Sequence, residues 1–174
     1  MAIAGIPEVL NDYNAYLSGN RLVGVTGEVS LPDLEGLTET ISGLGILGEF
    51  DTVITGRYSD MEQVIPFRML SEDVFKMIDT TKAVELTLRG SQQYTVQATG
   101  DVDQMGMRVV FRGRAKKLTP GTMKQGGAMS ASVTIGLTYI YIELDGSPKF
   151  ELDKLNSVFK VNGVGLLAKV RKYT

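Results

Sequence analysis

The chain has 174 residues, 43% of them hydrophobic and 22% charged, with a formal net charge of −2. That length suits one domain able to bury roughly 70% of its unfolded surface, and the charge gives no bulk attraction to nucleic acid or anionic membrane. With no Cys and no His, disulfides, thiolate chemistry and Cys-ligated metals are excluded, and the commonest general base and metal ligand are missing.

At the start, MAIAGIPEVLND has no basic leader and reaches Glu8 too soon for a secretory apolar core. No run approaches the roughly 18 apolar residues of a membrane helix, so a protein made and kept in a cytoplasm is expected. Ile6 to Leu17, the turn signal SGN at 18–20 and RLVGVTGEVSL predict a hairpin. Its second strand runs from about Arg21 to Leu31 and stops at Pro32, which cannot donate to a ladder. Tyr13 and Tyr16 read as strand-packing residues.

Residues 31–58 form an extended segment whose middle, ISGLGILGEF, is apolar but broken by Gly43, Gly45 and Gly48. Glycines weaken a core strand, so Leu44, Ile46 and Leu47 sit on an adaptable loop or hairpin. If exposed, they form an apolar patch that calls for a partner; otherwise the loop folds back over its own core. Burial separates the two. β-Pattern resumes at Phe50–Tyr58 and in EQVIPFRML at 62–70.

Ser71 opens the one predicted helix, about 71–79, with Glu72 and Asp73 in the first turn and a Leu70/Phe75 staple. Val74, Met77 and Ile78 give it an apolar face against a β-structure. Period-two runs follow at KAVELTLRG and QYTVQATG, typical of half-buried antiparallel strands. DVDQMG at 101–106 is a connection, and MRVVFRGRAKKL is the next strand. Along SASVTIGLTYIYIEL the apolar phase flips after Tyr139, so this strand must twist, bulge or serve two layers. Asp145-Gly146 and Asn162-Gly163 are turn signals.

Arg112, Arg114, Lys116 and Lys117 form a basic cluster with no interleaved aromatics, better suited to a solvated face or an electrostatic docking patch than to nucleic acid. KQGG at 124–127 lacks Walker spacing, and GLGILG at 43–48 lacks the dinucleotide fingerprint. No catalytic, cofactor-binding or metal residues are assigned, and none of the 20 acidic residues is flagged by its setting.

RGRAKK (112–117), KQGG (124–127), the strand ending in Tyr141 and LDG (144–146), FELDKLN and KVNGV (160–164) stand in a series that resembles the major tail tube protein family of contractile-tailed bacteriophages. NDYNAYLSG, LVGVTGEVSLPDLE and the glycine-broken loop extend the resemblance over nearly the whole chain, although Gly165 and a shorter apolar tail depart from it. The resemblance implies a mainly β subunit, an antiparallel β-sandwich or small β-barrel with one short helix. Six such subunits form a ring whose strands continue into an inter-subunit barrel, and stacked rings form the inner tube of a contractile tail, a conduit for the genome. It implies a structural virion protein of the tail tube, not an enzyme, without cofactor or membrane anchor and assembled in the host cytoplasm. The implied partners are further copies of itself, the tail sheath protein, baseplate hub and tail terminator proteins, and the tape measure protein and transiting DNA in the channel.

On that reading Leu44, Ile46 and Leu47 reach an adjacent ring, a heterologous contact that generates a filament. A basic channel lining would hold DNA by its phosphates. Arg112, Arg114, Lys116 and Lys117 are therefore expected at subunit boundaries or the sheath, with Asp, Glu and small polar residues in the bore. A tube of an R-type bacteriocin or other contractile injection or secretion system shares these features. A small-ligand-binding β-barrel is the reading from a different class.

Overall fold

Alternating runs in the sequence become long antiparallel strands in the computed structural model, which describes residues 5–174. The expectation of no secretory leader rests in part on residues 1–4, which lie outside the described residues. β1 (Gly5–Leu17) turns into β2 (Asn20–Arg21), and β3 (Gly36–Ser42) pairs with β4 (Glu49–Tyr58) in a separate two-stranded sheet. β5 (Glu62–Phe67) precedes α1 (Glu72–Met77), and then come β6 (Val84–Val96), β7 (Val102–Thr119) and β8 (Ala131–Leu144). β9 (Ser147–Asp153), β10 (Val158–Val161), β11 (Val164–Gly165) and α2 (Ala168–Tyr173) complete the chain. The main sheet has the order β11-β10-β9-β8-β7-β6-β1-β2, and β5 pairs with β8. A bridge between Val25 and Phe67 draws β5 towards the chain after β2, so the sheet bends like a barrel, but no ladder among the described residues closes it.

The core lies on one face of this sheet. Leu86, Leu88, Val109, Phe111, Ile135 and Ile140 point inward, and Val74 and Met77 of α1 cover them together with Ile65 and Phe67 of β5. Each such side chain contributes about 1.5–3 kcal/mol by leaving water. At the β9–β10 end Phe150 packs edge to face with both Tyr58 and Phe159, and those two rings are tilted against each other, with centroids 5.5–5.9 Å apart.

β8 changes neighbours halfway along. Residues 131–136 pair with β5 on one side, residues 139–144 pair with β9, and β7 runs along the whole of the other side. Thr138 is an extra residue where Arg112 pairs with Tyr139 but Gly113 with Leu137, so the buried phase passes from Leu137 to Ile140. Lys116 is an extra residue on β7 only a few steps further along. The strand thus bulges and serves two layers, and both bulges stand beside Gly113, where a Cβ would meet the Gly136 carbonyl oxygen at 2.0 Å.

Several elements differ from their predicted form. The strand expected over 21–31 ends at Arg21, because the backbone beyond it bonds elsewhere. Tyr13 Oη donates to the Thr26 carbonyl at 2.8 Å, and the buried Gln63 Nε2 donates to the Ser30 carbonyl at 2.8 Å. The helix stops at Met77, two residues early, and Ser71 is extended but makes no side-chain cap bond. Phe75 remains 52% exposed, so it adds little to a staple. Of the connection placed at 101–106, residues 102–106 belong to β7, and the turn is confined to 97–101, with Gly100 N–H donating to the Val96 carbonyl. The fold class called for one short helix, but α2 is a second. Asp145-Gly146 and Asn162-Gly163 do make tight hairpin turns, with positive φ at both residues of each.

Candidate functional site

Two surfaces carry the residues singled out in the sequence, and they belong to separate sheets. The first is the tip of the β3–β4 hairpin. Gly45 and Gly48 hold φ of +88° and +91°, a left-handed backbone that leaves little choice but glycine. The turn they make lifts Leu44 and Leu47 into solvent, at 107% and 106% exposure, with Ile46 beside them at 37%. Glu39, Glu49 and Asp51 flank the tip, and Thr40 Oγ1 donates to Asp51 at 2.6 Å. An isolated two-stranded hairpin is marginal in water, and two bare leucines make it a surface that lacks a cover. Of the two readings of this segment, the exposed patch is the one present.

The second surface is the outward face of β7. Alternation with the buried Gly113 and Ala115 places Arg112, Arg114 and Lys116 on one side, and the bulge at Lys116 leaves Lys117 exposed as well. Arg112 Nε donates to Glu85 at 3.0 Å, and its guanidinium lies 4.3 Å over the Tyr139 ring. Lys116 Nζ bonds to Asp60 at 2.8 Å and to Glu62, and the two carboxylates push its ammonium well above the ordinary lysine range. Half of the cluster is therefore neutralised within the chain. Arg114 and Lys117 make no ion pair among the described residues.

The same face holds residues that the sequence reading missed. Arg108 reaches Glu143 at 2.7 Å while Tyr141 Oη donates to the same carboxylate at 2.8 Å. The bond from Tyr141, backed by Arg108, holds the Glu143 carboxyl below the usual range. With Arg89 over Tyr16 and Arg108 over Tyr141, three arginines stack on three tyrosines across the sheet. Their signal was present as Arg and Tyr alternating in the polar phase, but the pairing register that joins them is not a local property. Ile6, Val9 and Leu10 of β1 are also exposed. No strand among the described residues pairs the outer edge of β1 before Tyr16. A groove of about 640 Å³ between the hairpin base and α2 was likewise missed, since α2 itself was not foreseen.

Among the described residues no group of three or more Asp, Glu, His or Cys could hold a metal ion, and no helix is long and apolar enough to cross a membrane. Exposed leucines, an open strand edge and paired charges are the materials of contact between macromolecules.

Comparison with known proteins agrees with that chemistry. The family model of phage tail tube protein FII matches residues 7–173. The tail tube protein of Escherichia phage P2 is 28% identical over 169 residues, 96% of each chain. The major tail tube protein of Serratia phage KSP20 is 27% identical over 163 residues, 92% of this chain and 91% of that one. Among solved structures, a chain from the sheath/tube terminator of an extracellular contractile injection system, in its extended state, shares the fold with a TM-score of 0.56. It is 12% identical and is covered over 96% of its length by 79% of this chain.

Proposed function

This chain belongs to the phage tail tube protein FII family, and from that premise we propose that it is the structural subunit of the inner tube of a contractile tail. Residues 1–174 act as a single tail-tube domain, with 31–58 as its inter-ring arm. Six copies close a ring, and rings stack into a conduit for the genome. The observation that carries this reading is the hairpin tip, where Leu44 and Leu47 stand fully in solvent on an element too small to be stable alone. The open outer edge of β1 supports ring closure, because strand pairing with a neighbour removes an exposed edge.

Leu44, Ile46 and Leu47 make the inter-ring contact. Arg112, Arg114, Lys116 and Lys117 lie at subunit boundaries or against the sheath, where Arg114 and Lys117 bring charge that no partner among the described residues neutralises. Tail sheath, baseplate hub, tail terminator and tape measure proteins are its partners, and the subunit is non-enzymatic. It assembles in the host cytoplasm and resides in the virion tail.

Electron microscopy of the purified protein tests this. Wild type is expected to form tubes, and Leu44→Asp with Leu47→Asp to leave a folded subunit that forms none. Long tubes from the double variant, or none from wild type at any concentration, would overturn it.

A further inference from the structure

The groove beside α2 has a chemistry that the hairpin tip matches. Its floor is apolar, from Leu37, Leu167 and Val170, and Arg57, Lys154 and Arg171 stand around it. Lys154 Nζ donates to the Ser59 carbonyl at 2.6 Å, and Arg171 Nη2 donates to the Asn156 carbonyl at 3.2 Å and to that of Ser157. Asp153 also borders the groove, but its oxygens are occupied by the N–H groups of Leu155 and Asn156 and by the Asn156 side chain. Among the described residues none of the three cations has a carboxylate partner.

Charge is divided along the sequence in the same sense. Residues 35–55 contain Glu35, Glu39, Glu49 and Asp51 and no Lys or Arg, whereas residues 154–174 contain Lys154, Lys160, Lys169, Arg171 and Lys172 and no Asp or Glu. The chain's own apolar and acidic tip, presented by another copy, therefore matches the groove in both apolar chemistry and sign of charge.

We propose that the hairpin tip of one copy docks in the groove beside α2 of a second copy, seating Leu44 and Leu47 on the apolar floor and Glu49 and Asp51 against Arg57, Lys154 and Arg171. This rests on the tube reading and names the surface that receives the inter-ring arm. Tip and groove are different patches, so the contact is heterologous and propagates. One wall of the groove is the base of the receiving copy's own hairpin, from Thr55 to Tyr58. A docked tip then orders the hairpin that serves the next copy, and lengthening becomes cooperative.

Because the chain has no cysteine, disulfide trapping in assembled tubes gives a direct test. Ile46→Cys with Val170→Cys should yield a ladder of covalently linked copies on oxidation, and Ile46→Cys with Met123→Cys should yield none. Charge reversal gives a second reading. Glu49→Lys/Asp51→Lys and Arg57→Glu/Lys154→Glu should each raise the concentration needed for tubes about tenfold or more, the step that one lost favourable contact typically produces, and the four changes combined should recover most of it. Circular dichroism checks that each variant is folded; if the groove reversal does not fold, the cysteine pairs decide alone. Formed tubes with no ladder from the Val170 pair, a ladder from the Met123 pair only, or folded reversals that assemble like wild type would overturn the docking. Wild type that never forms tubes would instead sink the tube reading itself.

Discussion

The β6–β7–β8 sheet and the β3–β4 hairpin are built from the same kind of strand but stand in opposite circumstances. In the sheet alternate side chains of residues 84–88, 109–115 and 131–137 are buried against α1, β5 or a neighbouring strand of the same chain. In the hairpin no side chain is fully buried on either face, and Leu44 and Leu47 at its tip are the most exposed. One region is finished by folding, and the other is left to be finished by assembly. Stability and function should therefore separate cleanly between them.

The sharpest way to break the first region is Gly113→Val, since its side chain would occupy the Gly136 carbonyl. A loss of more than about 3 kcal/mol is expected, with little folded protein recovered. Phe111→Ala, at 1% exposure in the core, should cost about 3–5 kcal/mol in a denaturant titration. Asp153→Ala, at the border of the two regions, should cost about 1–3 kcal/mol, because three N–H groups lose their acceptor.

Burial works against the Asp153 charge, but those donors outweigh it and hold its pKa below the usual value. A depressed folded pKa gives stability in full above the unfolded carboxyl value near 4, and that stability fades as the pH falls through the lower folded value. Melting temperature should drop in acid more steeply for wild type than for Asp153→Ala. At the other end of the scale, burial first and Glu151 second push the Tyr139 phenol up to about 12. Its contribution is complete below about pH 10 and is lost as the pH rises towards the folded value, which ultraviolet titration of Tyr139→Phe against wild type would show. Smallest in stability is the hairpin: Leu44→Asp with Leu47→Asp should melt within about 0.5 kcal/mol of wild type. Amide exchange across β3 and β4 should be fast in the free subunit and slow in tubes.

Much of the finished region was legible in the sequence. Period two located the main strands, and the phase change after Tyr139 required a bulge or a second layer, which Thr138 and the change from β5 to β9 supply. What escaped was non-local. KAVELTLRG and QYTVQATG read as two period-two runs, yet β6 runs straight through Gly90 from one to the other, because the missing side chain makes room for Leu10 from β1. The alternation over 22–31 looked like a strand, but its backbone groups are captured by Tyr13 and Gln63. α2 is preceded at its N-cap position by Leu167, whose side chain cannot cap, and so announced itself by no capping residue. Exposure of Leu44 and Leu47 could be posed as a question from glycine spacing, but only three-dimensional burial answers it.

The two bulges on either side of Gly113 have a further consequence. Pairing of β7 with β8 is in one register from Met107 to Arg112, slips by one residue from Gly113 to Ala115, and returns to the first register from Lys117 onward. Thr138 and Lys116 thus behave like a frame shift and its suppressor. Deleting Thr138 alone should turn Ile140 and Ile142 outward and misalign the hairpin at Asp145-Gly146, whereas deleting Thr138 and Lys116 together should restore a straight ladder. Lengths along these strands are therefore heritable only as a pair, and a one-residue change in either would have to be answered in the other.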